Sequence, residues 1–91
     1  MSKILEVSDS LIVNNLKKLK EEFDSIQLHD NIESLTIDLK KCSTIDSTGV
    51  GLISACVNQF KNIVIVNVNP DVKAILEVVG ITQLIKVEGL L

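Results

Sequence analysis

Ile63-Val64-Ile65-Val66 is an unbroken run of β-branched residues, and Asn69-Pro70-Asp71 follows it closely. The run reads as a strand covered on both faces, because a half-exposed strand alternates apolar with polar residues. The three residues after it read as a helix start: Asn69 supplies a cap and Pro70 is preorganised for the first helical position. Val72, Ile75, Leu76 and Val79 then recur at helical spacing, Gly80 suits the left-handed stop position, and Leu84 to Val87 reads as a last strand. A strand, a helix and a strand in such short order make a crossover unit of a parallel sheet.

Working outward, the same pattern repeats toward the N-terminus. Asp46-Ser47-Thr48-Gly49 is a helix-start signature leading into a helix that ends near Phe60, with Ile53, Cys56, Val57 and Phe60 as its inner face. Before it, Leu35, Ile37 and Leu39 alternate with Ser34, Thr36 and Asp38 as a strand. Asp24 to Glu33 is a polar loop. Ile12, Leu16, Leu19 and Phe23 mark an amphipathic helix that any of Ser8, Asp9 and Ser10 can cap, and Ile4 to Val7 is a first short strand. The order is strand, helix, strand, helix, strand, helix, strand. This implies an α/β fold: a small, mainly parallel β-sheet with right-handed crossover helices. The loops leaving the carboxyl ends of the strands then gather on one rim, so Ser8-Asp9, Lys40 to Thr48 and Asn67 to Asp71 are expected near each other.

Ninety-one residues fit one domain, 1–91, and a 46% apolar fraction rich in Ile, Val and Leu supplies its core. Nine basic against twelve acidic residues give a formal net charge of −3, which offers no footprint for nucleic acid or an anionic membrane. No apolar stretch approaches a bilayer span and Met1-Ser2-Lys3-Ile4 lacks the apolar core of a signal peptide, so a cytoplasmic protein without membrane insertion is expected. Cys42 and Cys56 form no CxxC pair and have no histidine-rich neighbourhood. They read as reduced thiols, Cys56 in the core and Cys42 in a connection open to solvent; no metal site or cofactor is indicated.

Chemistry concentrates at Asp46-Ser47-Thr48-Gly49-Val50-Gly51. A hydroxyl in the first turn of a helix lies among unpaired backbone N–H groups, where a phosphate is accepted without unfolding the domain. Ser47 reads as the cap and Thr48 as the acceptor. About two negative charges would then appear beside Asp46 on an exposed rim and penalise any interface that had buried the neutral hydroxyl. Gly49 and Gly51 remove side-chain bulk where another backbone approaches. Val50, Ser54, Asn58 and Lys61 form a helical row away from the core stripe, which makes the first half of this helix the expected docking surface. On the capping pattern alone, the four residues are more often an ordinary helix start than a phosphorylation site.

The segment Ile45-Asp46-Ser47-Thr48-Gly49-Val50-Gly51 resembles the D-S-[ST]-G signature of STAS domains, in particular the bacterial anti-sigma factor antagonists. Asp38-Leu39 looks like the strand leading into that family's switch loop. Asn69-Pro70-Asp71-Val72-Lys73 with Ile75-Leu76-Glu77-Val78-Val79-Gly80-Ile81 looks like its closing helix and turn, and Asp9 matches the acidic position opening its first helix. Two departures stand out. The family's additional N-terminal strand is missing, which leaves one sheet edge absent or supplied by another chain, as in a homodimer through that open edge. Leu5-Glu6-Val7-Ser8 stands where a glycine commonly precedes the acidic residue. The resemblance implies phosphorylation at Thr48, with Ser47 as the alternative, by an anti-sigma factor that is also an ATP-dependent serine kinase. It implies that the unphosphorylated form binds this kinase and frees the sigma factor, and that a metal-dependent phosphatase restores it. Asp9, Asp46, Ser47, Thr48, Gly49, Val50, Gly51, Ser54 and Asn69 are the implied contact residues.

Other readings divide on function rather than fold. A stand-alone STAS subunit of a transporter ATPase, or a signalling scaffold, would use the hydroxyl structurally. A small hydrolase using Ser47 or Thr48 would need a metal or His29, the only histidine, which sits in a polar loop; a serine–histidine constellation has poor support and no catalytic residue is expected. Lys17-Lys18-Leu19-Lys20 reads as a solvated helix face because Glu21 and Glu22 follow. Gly89-Leu90-Leu91 is an apolar end that suits a sheet edge or self-association.

Overall fold

Strands and helices alternate along the described residues, 2–27, 33–57 and 59–88, of the computed structural model. The order is β1 (Ser2–Glu6), α1 (Leu16–Gln27), β2 (Ser34–Asp38), α2 (Ser47–Val57), β3 (Asn62–Val66), α3 (Pro70–Val78) and β4 (Lys86–Val87). Single 3-10 turns precede α1, at Val13–Asn15, and β4, at Ile81–Gln83. The strands lie in sequence order, β1-β2-β3-β4, and each pairing is parallel. The expected α/β sheet is therefore parallel throughout its described strands.

That strand order has a geometric consequence. Every crossover steps one strand in the same direction, and right-handed crossovers of that kind put all three helices on one face. Burial agrees: Leu5, Leu35, Ile37 and Ile65 point to the helix side and are buried, whereas Ile4, of opposite pleat, is 63% exposed. Leu19, Phe23 and Ile26 of α1, Ile53 and Cys56 of α2, and Val72 and Leu76 of α3 complete the core against them. β3 is thus not covered on both faces as its sequence suggests. Only Ile65 is buried; Ile63, Val64 and Val66 are half-buried.

Several boundaries move, each for a packing reason. The first helix does not open at Ser8-Asp9-Ser10. Leu11 stays extended in a parallel bridge with Ile45, donating to Thr44 O at 3.0 Å and accepting from Asp46 N at 3.0 Å. The helical stripe shifts C-terminally to Leu19, Phe23 and Ile26, while Leu16 is 40% exposed. α1 thereby takes over the start of the stretch read as a loop from Asp24; residues 28–32 lie outside the described set. None of the three candidate caps caps a helix. Ser8 gives its N–H (3.1 Å) and its hydroxyl to the Glu22 carboxylate, Asp9 pairs with Lys18, and Ser10 turns inward.

β1 begins two residues early, and Val7 follows it by donating to Asp38 O at 3.1 Å. α2 stops at Val57, with Phe60 half-buried against the core beyond it. Of the α3 stripe only Val72 and Leu76 are buried; Ile75 and Val79 lie at its margin. Gly80 adopts φ 84°, the left-handed stop that its position implied. The 3-10 turn after it shortens β4 to Lys86–Val87 and leaves Leu84 exposed. Cys42 is buried rather than open: its thiol donates to Thr44 O at 3.2 Å, and desolvation raises its pKa. Burial also pushes the Cys56 thiol up to about 11.

Candidate functional site

The loops at the carboxyl ends of the strands do converge, and polar side chains tie them together. Ser10, 7% exposed, is the central tie. Its hydroxyl accepts from Ser43 N at 3.1 Å and Thr44 N at 3.2 Å and lies 2.9 Å from the Ser43 hydroxyl. Asn69 caps α3 by accepting from Val72 N at 2.8 Å, and its amide donates to Cys42 O at 3.1 Å and Ser43 O at 3.2 Å. Asp38 accepts from Lys40 N at 2.9 Å and from the Asn67 amide at 3.1 Å. Asn67 has φ 57°, a left-handed conformation that asparagine tolerates better than most residues. Loop backbone groups that would otherwise seek water are thereby held in one arrangement.

Asp46 is the cap of α2, in place of Ser47. One carboxylate oxygen accepts from Thr48 N at 2.9 Å and Gly49 N at 3.3 Å, and the other accepts from Val13 N at 2.9 Å. A single side chain thus caps α2 and the 3-10 turn that leads into α1. The Val13 N–H lowers the Asp46 pKa most, with Gly49 N–H, Thr48 N–H and the Thr48 hydroxyl adding to it against a smaller opposing effect of burial. Asp46 is therefore ionised at neutral pH. Ser47 is the first helical residue and exposed; Thr48 follows in the first turn, half-buried.

This changes one step of the chemistry read from sequence. The N–H groups of Thr48 and Gly49, expected to receive a phosphate, are already taken by the Asp46 carboxylate. The half-buried Thr48 hydroxyl instead stands beside the fixed negative charge of Asp46.

Gly49 is buried, and a Cβ there would lie 2.3 Å from Leu11 O, 2.5 Å from Leu11 Cβ and 2.9 Å from Ile45 Cγ1. The backbone that approaches it belongs to this chain and not to a partner. Gly51 is exposed with open space above it. Val50 is half-buried against the core rather than free, and Ser54 is half-buried on the same helix. Asn58 and His29 lie outside the described residues, as do residues 89–91. Asp9 accepts from Ser10 N at 2.7 Å and pairs with Lys18 Nζ at 2.9 Å, and the Lys18 hydrogen bond is the main reason its pKa is lowered. It joins the rim through Ser10 rather than through α2.

Asp46, Ser47, Thr48 and the Val13 turn form one cluster, and Asn69 meets it through the Cys42-Ser43 backbone. Sequence reading placed Ser10, Asp38 and Asn67 near the rim but gave neither them nor Leu11 a role in tying it together. A signal existed for Leu11: Leu5, Val7 and Leu11 share one parity, continuing the strand period past the point where a helix was read. No helix among the described residues is long and apolar enough to cross a membrane.

A family model described as the STAS domain matches residues 2–89. A search of curated proteins returned no match. Among solved structures, a crystal structure from Thermotoga maritima, described as a candidate anti-sigma factor antagonist, matches with a TM-score of 0.79 and 20% identity. The match covers 96% of this chain and 78% of that one, and it shows a shared fold.

Proposed function

The chain belongs to the STAS domain family, and from that premise we propose that residues 1–91 act as a single STAS domain working as an anti-sigma factor antagonist in the cytosol. In its unphosphorylated form it binds an anti-sigma factor that is also a serine-threonine kinase, and the sigma factor is freed. The kinase uses ATP to phosphorylate Thr48, the chain is released, and a metal-dependent phosphatase restores it. The chain is a substrate and binding module in this cycle, not a catalyst, and needs no cofactor of its own. Ser47, Thr48, Val50, Gly51 and Ser54 supply the docking surface on α2, with Asp9 and Asn69 at its margin; Gly49 contributes by keeping α2 close to Leu11.

The observation that carries this reading is the Asp46 carboxylate, bonded to three backbone N–H groups beside Thr48. It fixes a negative charge at the point where phosphorylation would add about two more, so the lever is local repulsion and desolvation at an interface. A loss of ~3 kcal/mol weakens binding about a hundredfold, enough for a switch. The test is incubation with the anti-sigma kinase encoded by the same organism and ATP, followed by phosphopeptide mapping. Phosphate on Thr48, absent in Thr48→Ala, is the expected result. Full phosphorylation of Thr48→Ala would remove the site, and mapping to Ser47 would move it by one residue.

A further inference from the structure

The sheet face turned away from the helices carries no described element. Parallel sheets are ordinarily covered on both faces, because their backbone and apolar side chains are poorly served by water on either side. Across this bare face Ile4, Thr36, Val64 and Lys86 stand in one row, in register on four strands. Val64 and Leu84 help line an open groove of about 450 Å³, flanked by Lys61 and Lys86. Glu6, exposed at the end of β1, occupies the opposite corner. We propose that this face pairs with the same face of a second copy of the chain.

Charge complementarity selects the second copy over other occupants. The face carries both signs: the Glu6 and Asp38 carboxylates in one row at its upper edge, Lys86 with Glu88 beside it on the last strand and Lys61 toward the opposite corner, and Ile4 and Val64 between them. A two-fold axis lying in the interface along the other diagonal brings Glu6 of each copy toward Lys86 and Lys61 of its mate. The two sets of strands then cross near 90°, one of the two usual ways in which sheets stack. The existing partner of Lys86 is Glu88, at 3.4 Å with both side chains largely exposed, so that pair is weak and exchangeable. The pairing leaves α2 and the Asp46-Thr48 cluster, on the helix side, free. It does not depend on the phosphorylation cycle.

Size sets the strength. Four strands about 4.8 Å apart, with a rise of about 3.3 Å per residue, make a face of roughly 300 Å². Even with its rims this is below the roughly 800 Å² per partner of a standard interface, so the dimer is reversible, with Kd on the order of 10 μM.

Sedimentation of the full chain from about 1 μM to about 1 mM, bracketing that constant, tests this. The mass should rise from the 10.0 kDa of one chain toward twice that value. Ile4→Lys should weaken association at least about tenfold. Glu6→Lys and Lys86→Glu should each weaken it, and the double swap should restore it. All three positions are exposed, so the fold tolerates these changes, which far-UV circular dichroism would verify. A chain that stays at 10.0 kDa throughout overturns the proposal. So does a dimer indifferent to Ile4→Lys, which would place association elsewhere, and a double swap that associates no better than the single ones.

Discussion

The beginning of α2 and the end of α3 are both helix termini beside a glycine, yet they are held by opposite means. At α2 the chain is clasped: Gly49 sits under the Leu11 backbone, Asp46 joins two helical starts, and Ser10 pins the preceding loop. At α3 the chain runs out among exposed apolar side chains, with Val78 86%, Val79 48% and Leu84 66% exposed, and a Cβ on Gly80 would meet nothing. The first terminus is fixed by polar ties of defined geometry; the second rests on the burial of Val72, Leu76 and Ile81. A surface that must keep its shape while its charge changes belongs at the clasped end.

Substituting the clasped glycine should have the largest effect. Gly49→Ala forces a carbon against backbone that cannot swing away, and about 3 kcal/mol or more of stability should be lost in urea unfolding. Gly51→Ala, two residues on in open space, should leave stability unchanged or raise it by up to ~1 kcal/mol. Similar losses at both glycines would break the contrast.

Ser10→Ala is next in size. It removes the buried hydroxyl that accepts from the Ser43 and Thr44 N–H groups, and a loss of about 2 kcal/mol is expected by the same measurement. A change within ~0.5 kcal/mol, typical of ordinary surface positions, would mean that water replaces the hydroxyl and the loop is not pinned.

The smallest effect is a pH dependence. Asp46 and Asp9 have folded-state pKa values below the ordinary 3.8, Asp46 chiefly through the Val13 N–H and Asp9 chiefly through Lys18. A carboxylate whose pKa is depressed by folding contributes stability above its unfolded value, and that contribution disappears as pH falls through the folded value. Unfolding midpoints should therefore drop below about pH 4, and Asp46→Asn should flatten the drop. An unchanged acid slope in Asp46→Asn would show that its carboxylate charge is not what holds the two helix starts.

Some of this was legible in the residues because the causes are local. Asn69-Pro70-Asp71 announces a helix start through its own cap chemistry, and Gly80 announces a stop through its backbone freedom, so both appear where read. The start of the first helix was not legible, since it depends on Leu11 pairing with Ile45 from a distant segment. For the same reason Ser10 looked like a cap and is instead a tie between loops. The run Ile63 to Val66 was read as covered on both faces because β-branched residues report strand propensity without reporting what stands above them. In the site, the Asp46-Ser47-Thr48-Gly49 pattern located the cluster, but which residue caps it and which glycine is buried followed from tertiary contacts with Val13 and Leu11.

The central claim is that charge at Thr48 alters docking while the clasp holds. It is tested most directly by titrating the anti-sigma kinase with this chain before and after stoichiometric phosphorylation, without ATP in the cell. The account predicts an affinity about a hundredfold lower for the phosphorylated chain. Equal affinity of the two forms would contradict it.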